Sequence, residues 1–413
     1  MVANGNRRSV QTHIESVCSL ANPSVVTQGS LNDATGHRLA ADVHAILPVP
    51  RFSNAAMDGF AVRREDIRAL PVRLPVAGDV PAGGGCLRVP PGNAVRIMTG
   101  APITPDDGVI VVPVEQTNVA RGAVELPREV AINSVDLNRS HIRLTGENIQ
   151  PGDLVAAAGT KVHAGTVAAL ISAGVATVDY VRRPRVAVLS TGSELNHGEH
   201  ALTESQIPDS NGPMLALLSE ANDAGTVQRL HVADDPDAVH KTLVSAAQNA
   251  DLVVTSGGVS AGAFDVIREV TATDPNMWFG AVSQRPGTPQ GAGVYHGVPL
   301  VCLPGNPVAA WVSFHLYVAP LLARLGGSIQ PVDLQCRPHL TASLRGPAPK
   351  VPAGGFAFVP VQLEFSAGTA TASTFGGRGV GSGHVASLSG CNGLAILTEE
   401  TSGDECRVLL TRQ

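Results

Sequence analysis

Aromatic residues, lysines and cysteines are scarce in this chain. Aromatics make up 3% of the 413 residues, and the lysines are Lys161, Lys241 and Lys350. The six cysteines are far apart and form no CxxC pair, which argues against a zinc site or a disulfide framework. Such isolated cysteines are typical of small buried residues in a reducing compartment. We therefore expect a cytoplasmic protein.

The chain also has little continuous hydrophobicity and no excess of positive charge. Its most apolar stretch runs from Val298 to Leu303 and resumes at Val308, so no uninterrupted run approaches the ~20 residues of a membrane span. No apolar signal core follows the polar residues 1–8. The formal net charge of -6 disfavours nonspecific binding to nucleic acid or to an anionic membrane. A bound phosphate would therefore need local donors.

The region from Arg185 to Leu325 alternates strand and helix signals. Continuous apolar runs between helices indicate a parallel sheet that is covered on both faces. The predicted strands are Arg185–Ser190, Thr226–Val232, Asp251–Thr255 and Val298–Leu303. The predicted helices are 211–220 with Asn211 as its cap, 235–250, and 308–325.

The residue composition outside the central region predicts a multidomain α/β and β protein. Glycine and proline, at 44 and 30 residues, indicate many turns and short strands outside the central region. Residues 49–148 predict an inserted β-rich module, and residues 329–413 predict a small C-terminal β-barrel. Residues 1–48 and 149–182 are assigned to a helical linker domain, and residues 183–328 to the three-layer α/β domain.

Four polar turns follow the four predicted strands. Because the carboxyl ends of parallel strands share one edge, where open α/β sheets bind ligands, these turns can form one pocket. Each turn taken alone is also an ordinary strand-to-helix connection. The turns are Ser190–Glu194, Asp234–Asp235, Ser256–Ser260 and Pro304–Pro307.

The same turns carry the residue types of a phosphate site. Gly257 and Gly258 allow a close backbone approach, and Ser256 and Ser260 add hydroxyl donors. Carboxylates beside such a cradle suit Mg²⁺ that bridges to a phosphate. The available carboxylates are Glu194, Asp234, Asp235 and Asp265. The chain has no GxxxxGK[ST], no strand–GxGxxG–helix unit and no HExxH, so P-loop, dinucleotide and HExxH zinc sites are disfavoured.

The β-rich module has two further polar positions. Asp58 stands beside Gly59 in an otherwise small and apolar segment, and Thr99 precedes Gly100 in a tight turn. An aspartate in this setting is more often a turn-capping residue than a catalyst. The sequence alone does not show whether Asp58 or Thr99 faces the edge of the sheet.

Eight motifs follow one another in a fixed order along most of the chain from residue 30 onward. They are DATGHRL at 33–39, AAMDGFAV at 55–62, VRIMTGAP at 95–102, PRVAVLSTGSEL at 184–195, IPDSN at 207–211, TSGGVS at 255–260 with Asp265, LPGNP at 303–307 and SLSGCNGL at 387–394. This ordered set resembles the molybdopterin molybdenumtransferase family, both the bacterial enzyme and the E domain of the eukaryotic fusion protein gephyrin.

The resemblance implies an Mg²⁺-dependent enzyme that inserts molybdate, its co-substrate, into adenylyl-molybdopterin and releases AMP. It implies a homodimer whose active cleft joins the α/β domain to parts of the partner subunit, and the molybdopterin adenylyltransferase as a possible partner. The implied catalytic residues are Asp58, Thr99, Glu194 and Asp265. The implied metal ligands are Glu194, Asp265 and either Asp234 or Asp235. The implied substrate-binding residues are Thr191, Gly192, Ser193, Ser210, Asn211, Ser256, Gly257, Gly258, Ser260, Arg285, Pro304, Gly305, Asn306 and Pro307.

Three positions depart from the family pattern. Thr288 stands in Pro-Gly-Thr-Pro where the family usually has Pro-Gly-Lys-Pro, Asn148 replaces an acid, and Pro360 replaces a commonly basic residue. The first departure removes a cation where an oxyanion is expected, and Arg285 is a candidate to compensate because arginine also binds oxyanions. Two alternatives therefore stand: a nucleotidyltransferase or hydrolase of the adenylylated pterin, and a degenerate paralogue that binds molybdopterin or a partner without efficient metal insertion.

Overall fold

The structure, a computed structural model, describes residues 7–22, 25–85, 88–104, 108–196, 202–259, 265–375, 381–401 and 405–412. Ser260, one of the expected substrate-binding residues, lies outside these ranges. Within them the chain forms an α/β domain, a β-rich module, a connecting segment and a C-terminal barrel.

A mixed sheet of six strands forms the centre of the α/β domain. Its spatial order is Thr226–Val232, Arg185–Thr191, Leu252–Ser256, Val298–Leu303, Pro289–Tyr295 and Met277–Ala281. The first four strands pair in parallel, and Pro289–Tyr295 pairs antiparallel with both of its neighbours, Val298–Leu303 and Met277–Ala281. The predicted parallel-rich sheet is therefore confirmed. Its carboxyl edge brings the four turns side by side, since Ser256 pairs with Ser190 on one side and with Leu303 on the other.

Helices cover both faces of this sheet. One face packs against Val10–Cys18, Asn211–Ala221 and Pro307–Leu325, and the other against Pro236–Asn249 and Val266–Thr271. The helix Val10–Cys18 thus belongs to the α/β core, although residues 1–48 were expected to form part of a helical linker domain. A short parallel pair, Leu195–Asn196 with Ile207–Pro208, extends beyond the sheet edge.

The predicted helix 308–325 is present as Pro307–Leu325, and by length and composition it could cross a membrane, although no uninterrupted apolar run of that length was expected. However, 89% of its most apolar window is buried inside the protein, as in the core helix of a globular domain. It is α-helical over Pro307–Ser313 and Ala319–Leu325, with a π-helical segment, Phe314–Val318, between them. Phe314 is fully buried, and burial of such a side chain contributes roughly 1.5–3 kcal/mol to stability.

The β-rich module is built on a sheet of five strands. Their spatial order is Val109–Pro113, Gly59–Arg63, Ala94–Ile97, Val72–Val80 and Glu129–Ile132. Short 3₁₀ helices at Arg64–Ile67 and Val114–Gln116, and the pair Asn54–Ala55 with Ile142–Arg143, complete it. Gly59 packs so tightly that a Cβ there would lie 2.0 Å from the Val112 carbonyl oxygen. The residue after Asp58 must therefore be glycine.

The connecting segment is less helical than expected. Its helices are Leu31–Ala34 and Ala164–Ser172. The rest consists of two small antiparallel sheets. One has the order Val26–Ser30, Thr177–Val181, Arg38–Leu39, and the other pairs Val43–His44 with Leu154–Ala156.

The C-terminal region forms the predicted barrel. Its strands are His339–Arg345, Phe356–Ser366, Thr369–Ser373, Gly393–Leu397 and Glu405–Leu410, with a 3₁₀ helix at Val385–Leu388. The strand Phe356–Ser366 pairs with both Thr369–Ser373 and Gly393–Leu397, which closes the ring. The segment Gln284–Arg285 also pairs with Phe356–Ser366 and so joins the barrel to the α/β domain.

Candidate functional site

Asn211 joins three of the segments at the carboxyl edge of the sheet. Its side-chain amide donates to Ser256 Oγ and to the Gly305 carbonyl oxygen, at 2.7 Å each. The expectation that Asn211 caps a helix is wrong, because Ser210 occupies the N-cap position, without a side-chain cap bond, and Asn211 is the first helical residue. Asp209 Oδ1 instead accepts from the backbone N–H groups of Asn211 and the next residue, at 3.0 Å each.

Glycines form the base of the site between these turns. Gly257 has φ +95°, and a Cβ there would lie 3.2 Å from the Thr191 carbonyl oxygen. A Cβ on Gly305 would in turn lie 3.5 Å from Gly257 Cα. Three turns therefore meet backbone to backbone, as the close approach of a ligand phosphate requires.

Two carboxylates lie beside the turn after Arg185–Thr191. Asp234 Oδ2 accepts from the Ser193 N–H at 2.9 Å and from Ser193 Oγ at 3.3 Å. The exposed Glu194 folds back toward Gly192, where a Cβ would lie 2.8 Å from Glu194 Oε2. Ser193 and Asp234 of adjacent turns are therefore in contact, and Glu194 follows Ser193 in the chain.

The four expected acidic ligands do not form one cluster. Asp235 caps the helix Pro236–Asn249, since its Oδ1 accepts from the Ala238 N–H at 2.7 Å. Asp265 occupies the N-cap position of Val266–Thr271 without a side-chain cap bond. Across the described ranges, no three His, Cys, Asp or Glu residues are arranged to hold a metal. Mg²⁺ usually takes one or two carboxylates together with substrate phosphates, so Glu194 and Asp234 would suffice for this ion, whereas one oxygen of Asp235 is engaged in the helix cap.

The Pro286–Pro289 turn opens onto a cavity of about 600 Å³ between the α/β domain and the barrel. Thr288 and Pro360, two of the departures from the family pattern, both line it together with Arg285. Thr288 Oγ1 donates to the Gln284 carbonyl oxygen at 3.1 Å, so this hydroxyl serves the turn itself. The lining also includes Arg7, Pro304, Asn306 and Ser382. In the described lining, the two arginines are the only cationic side chains.

A buried hydrogen-bond network, which sequence reasoning missed, supports this turn from below. Gln290 Nε2 donates to the Gly287 carbonyl oxygen and to Ser313 Oγ, at 2.7 Å each. Gln284 Nε2 donates at 2.9 Å to the carbonyl of the first residue of the turn, and the Tyr317 hydroxyl donates to Gln284 Oε1. The available signals were a glutamine inside a strand of small apolar residues and a serine inside an apolar helix.

The start of the helix Pro307–Leu325 contacts the barrel. Asn306 occupies its N-cap position, but the side-chain amide donates to Ser382 Oγ at 3.2 Å instead of capping the helix. The Val308 N–H donates to the Ser382 carbonyl oxygen at 3.1 Å. Asn148, the third departure, is exposed in a turn, does not line the cavity at Pro286–Pro289, and donates its N–H to the Val49 carbonyl oxygen.

Asp58 and Thr99 contact each other in the β-rich module. Asp58 Oδ1 accepts from the Thr99 backbone N–H and hydroxyl, at 2.7 Å each. These bonds, the backbone one first, hold the pKa of Asp58 below its ordinary value, so the carboxylate is ionised at neutral pH. Both residues line a cavity of about 870 Å³ with Arg96 and Arg121. This cavity shares no described lining residue with the one at Pro286–Pro289, so within one chain Asp58 and Thr99 do not line the same cavity as that turn.

Comparison with known proteins assigns the family. Residues 8–174 match the model of the MoeA N-terminal region (domains I and II), and residues 187–324 match that of a probable molybdopterin binding domain. The chain is 38% identical over 408 residues to molybdopterin molybdenumtransferase 2 of Mycobacterium tuberculosis, which covers 95% of this chain and 96% of the relative. The chain belongs to the molybdopterin molybdenumtransferase family.

Other members of this family resemble this chain in sequence and in fold. The molybdopterin molybdenumtransferase of Nostoc sp. is 36% identical over 318 residues, which cover 74% of this chain and 71% of the relative. A crystal structure of a molybdopterin biosynthesis MoeA protein from Pyrococcus horikoshii aligns with a TM-score of 0.77 at 27% identity, over 99% of this chain and 100% of that one. The resemblance and the fold class are confirmed. Family membership gives the chain a transferase role in molybdenum cofactor biosynthesis, with a molybdopterin-related substrate.

Substitutions at Asp235 separate helix capping from metal binding. Asp235→Ala should lower the free energy of unfolding by about 0.5–2 kcal/mol, because the helix loses its cap, whereas Asp235→Asn should keep it since asparagine caps equally well. Melting temperatures with and without Mg²⁺ and substrate measure both effects. An Asp235→Asn variant that melts normally but loses an Mg²⁺-dependent rise would place Asp235 among the ligands.

Proposed function

We propose that this protein inserts molybdate into adenylyl-molybdopterin and releases AMP. The supporting observation is the meeting of glycine-rich turns at one sheet edge, joined by Asn211, beside the carboxylates of Glu194 and Asp234. Backbone donors of such turns suit the phosphates of an adenylylated substrate. The adjoining cavity with Arg285 then suits the molybdate oxyanion.

The proposed reaction divides between the residues as follows. The turns at Gly257 and Gly305 hold the phosphates of the adenylylated pterin. Glu194 and Asp234 would hold Mg²⁺, which when bound neutralises phosphate charge as the anhydride breaks. Water cleaves the phosphoanhydride bond, so that AMP leaves and the other phosphate stays on the pterin. The two dithiolene thiols of the pterin bind molybdenum, and one oxygen of molybdate leaves as water. Asp265, which the family resemblance implies is catalytic, is also proposed to act at the carboxyl edge of the sheet.

A second candidate is a family member that binds molybdopterin or a partner without efficient metal insertion. The observation in its favour is that both Thr288 and Pro360 line the proposed oxyanion cavity. Neither side chain can supply a cation, and the Thr288 hydroxyl already donates within its own turn. Arg285 is exposed, lines the same cavity and is proposed to replace the missing cation.

We further propose a homodimer in which Asp58 and Thr99 of one subunit complete the cleft of the other. This proposal is supported by the cavity that Asp58 and Thr99 line within one chain, which is not the cavity at Pro286–Pro289. The Asp58 carboxylate in it is ionised and exposed. A two-fold dimer is the commonest oligomer and would form two equivalent clefts. A cytoplasmic location and an interaction with the molybdopterin adenylyltransferase also remain proposals, supported by the family and by the unpaired cysteines of the described chain.

The central experiment follows AMP release from adenylyl-molybdopterin. AMP release by the purified protein should require both Mg²⁺ and molybdate, because the anhydride is cleaved in the insertion step. Chromatography of AMP with molybdate, without molybdate and with a chelator measures this. Equal release with and without molybdate would remove the insertion reaction and leave a hydrolase, and no release at all would favour the binding-only family member.

Substitutions at the Pro286–Pro289 turn test the oxyanion site. Thr288→Lys should lower the molybdate concentration for half-maximal rate, and Arg285→Ala should raise it, because a charge-assisted hydrogen bond contributes roughly 1.5–3 kcal/mol. This corresponds to about 10–150-fold in affinity. Arg143→Ala, which removes an exposed arginine outside the cavity, is the control. A molybdate titration that is insensitive to both test substitutions would show that this turn does not hold the oxyanion.

A further inference from the structure

A second cluster of arginines lies away from the proposed reaction site. It surrounds a cavity of about 400 Å³ whose arginines are Arg38, Arg324, Arg337 and Arg412. Asn222 and Asp223 line the same cavity and immediately precede the strand Thr226–Val232. The cavity therefore lies toward the amino ends of the parallel strands, whereas the glycine-rich turns follow their carboxyl ends.

The positive charge of this arginine cavity is not balanced by its own acidic group. Asp223 is the one carboxylate in the described lining, and both of its oxygens are bonded. Oδ1 accepts from Lys161 Nζ at 2.6 Å, and Oδ2 accepts from Arg412 at 3.0 Å. The other three arginines each donate to a backbone carbonyl oxygen. In the part of the chain that the structure describes, none of those three forms a salt bridge with a carboxylate.

Arg337 carries an unsatisfied donor within this cluster. Its Nη2 donates to the His315 carbonyl oxygen at 2.7 Å, whereas its Nη1 is buried without a hydrogen-bond partner in the described residues. Burial lowers the pKa of Arg337 to about 10, so its surroundings do not compensate the charge. A buried donor without a partner is costly, although this nitrogen is itself inaccessible to solvent and does not face the open cavity.

The backbone beneath Arg337 is also unusual. His315 belongs to the π-helical segment Phe314–Val318, and π segments within α-helices occur frequently at functional sites. The His315 ring is buried and lines the same cavity. Burial, and then the nearby Arg337, lower the pKa of His315 to about 3, so the ring is neutral and adds no charge. The cationic character of the cavity therefore comes from its arginines.

We propose that the arginine cavity binds a phosphate group, at a site separate from the molybdopterin site. A tetrahedral dianion can accept from several guanidiniums at once, whereas a single bidentate arginine already satisfies one carboxylate. The cavity also has the size of small-molecule sites, about 300–1,000 Å³. Orthophosphate and the phosphate of a mononucleotide share this chemistry, and the experiment separates them.

Isothermal titration calorimetry of the whole protein, with inorganic phosphate and separately with AMP at constant ionic strength, tests this proposal. Arg324→Gln should weaken binding by about tenfold or more, because it removes one charged donor. Arg38→Gln, in the strand Arg38–Leu39, is a second variant that tests the same cavity if Arg324→Gln folds poorly. Arg345→Gln, at an exposed arginine of the barrel outside the cavity, is the matched control and should bind as the unmodified protein does.

Comparison of phosphate with AMP, together with the variant Arg285→Gln, shows whether the arginine cavity or the cavity at Pro286–Pro289 binds the anion. Weakening of either ligand by Arg324→Gln or Arg38→Gln supports the proposal, and the ligand whose binding these substitutions weaken identifies the source of the phosphate, because AMP is also the expected product at the molybdopterin site. Binding of both ligands that neither variant weakens would overturn it. Binding that only Arg285→Gln abolishes would also overturn it, since the anion would then occupy the cavity at Pro286–Pro289. No detectable binding of either ligand would contradict the proposal directly.

Discussion

The side-chain amide of Asn211 is the contact on which the candidate site depends. Its two hydrogen bonds hold the turn after Leu252–Ser256 against the turn after Val298–Leu303, at the point where the helix Asn211–Ala221 begins. Without this amide, the buried Ser256 hydroxyl and the Gly305 carbonyl would both lose a partner. A fixed set of backbone turns can stabilise charge without reorganising during the reaction, which is why this cross-link matters for phosphate chemistry.

The layers of the fold could be predicted from the sequence, but the contacts between its turns could not. Continuous apolar strands such as Val298–Leu303 report burial on both faces directly, so the parallel sheet and its carboxyl edge followed from pattern. An asparagine at a helix start usually caps it, and nothing local reveals that Asn211 bonds residues 45 and 94 positions away. Asp234 and Asp235 are likewise adjacent and chemically alike. Pro236 marks Asp235 as the residue before the helix, but the contact of Asp234 with Ser193 is visible only in the structure.

The same limit applies to the cavity at the Pro286–Pro289 turn. The motif comparison located Thr288 and Pro360 as departures, but their 72 positions of separation hid the fact that both line one cavity. The structure adds the buried support of this turn by Gln284, Gln290 and Ser313, which depends on the distant helix Pro307–Leu325. Because that support remains, the turn keeps its shape while its charge differs from the family pattern. We therefore expect the departures to act on anion affinity and not on folding.

We propose that one reaction site is divided between two subunits, with Asp58 from one and Glu194 from the other. Complementation measures this most directly: Asp58→Asn and Glu194→Gln subunits with different tags are co-expressed, and the mixed dimer is purified through both tags. Each variant alone should lose activity by about 10²–10⁴, whereas the mixed dimer should recover about half of the unmodified activity, because one of its two clefts carries neither substitution. A mixed dimer as inactive as either variant alone would contradict the account.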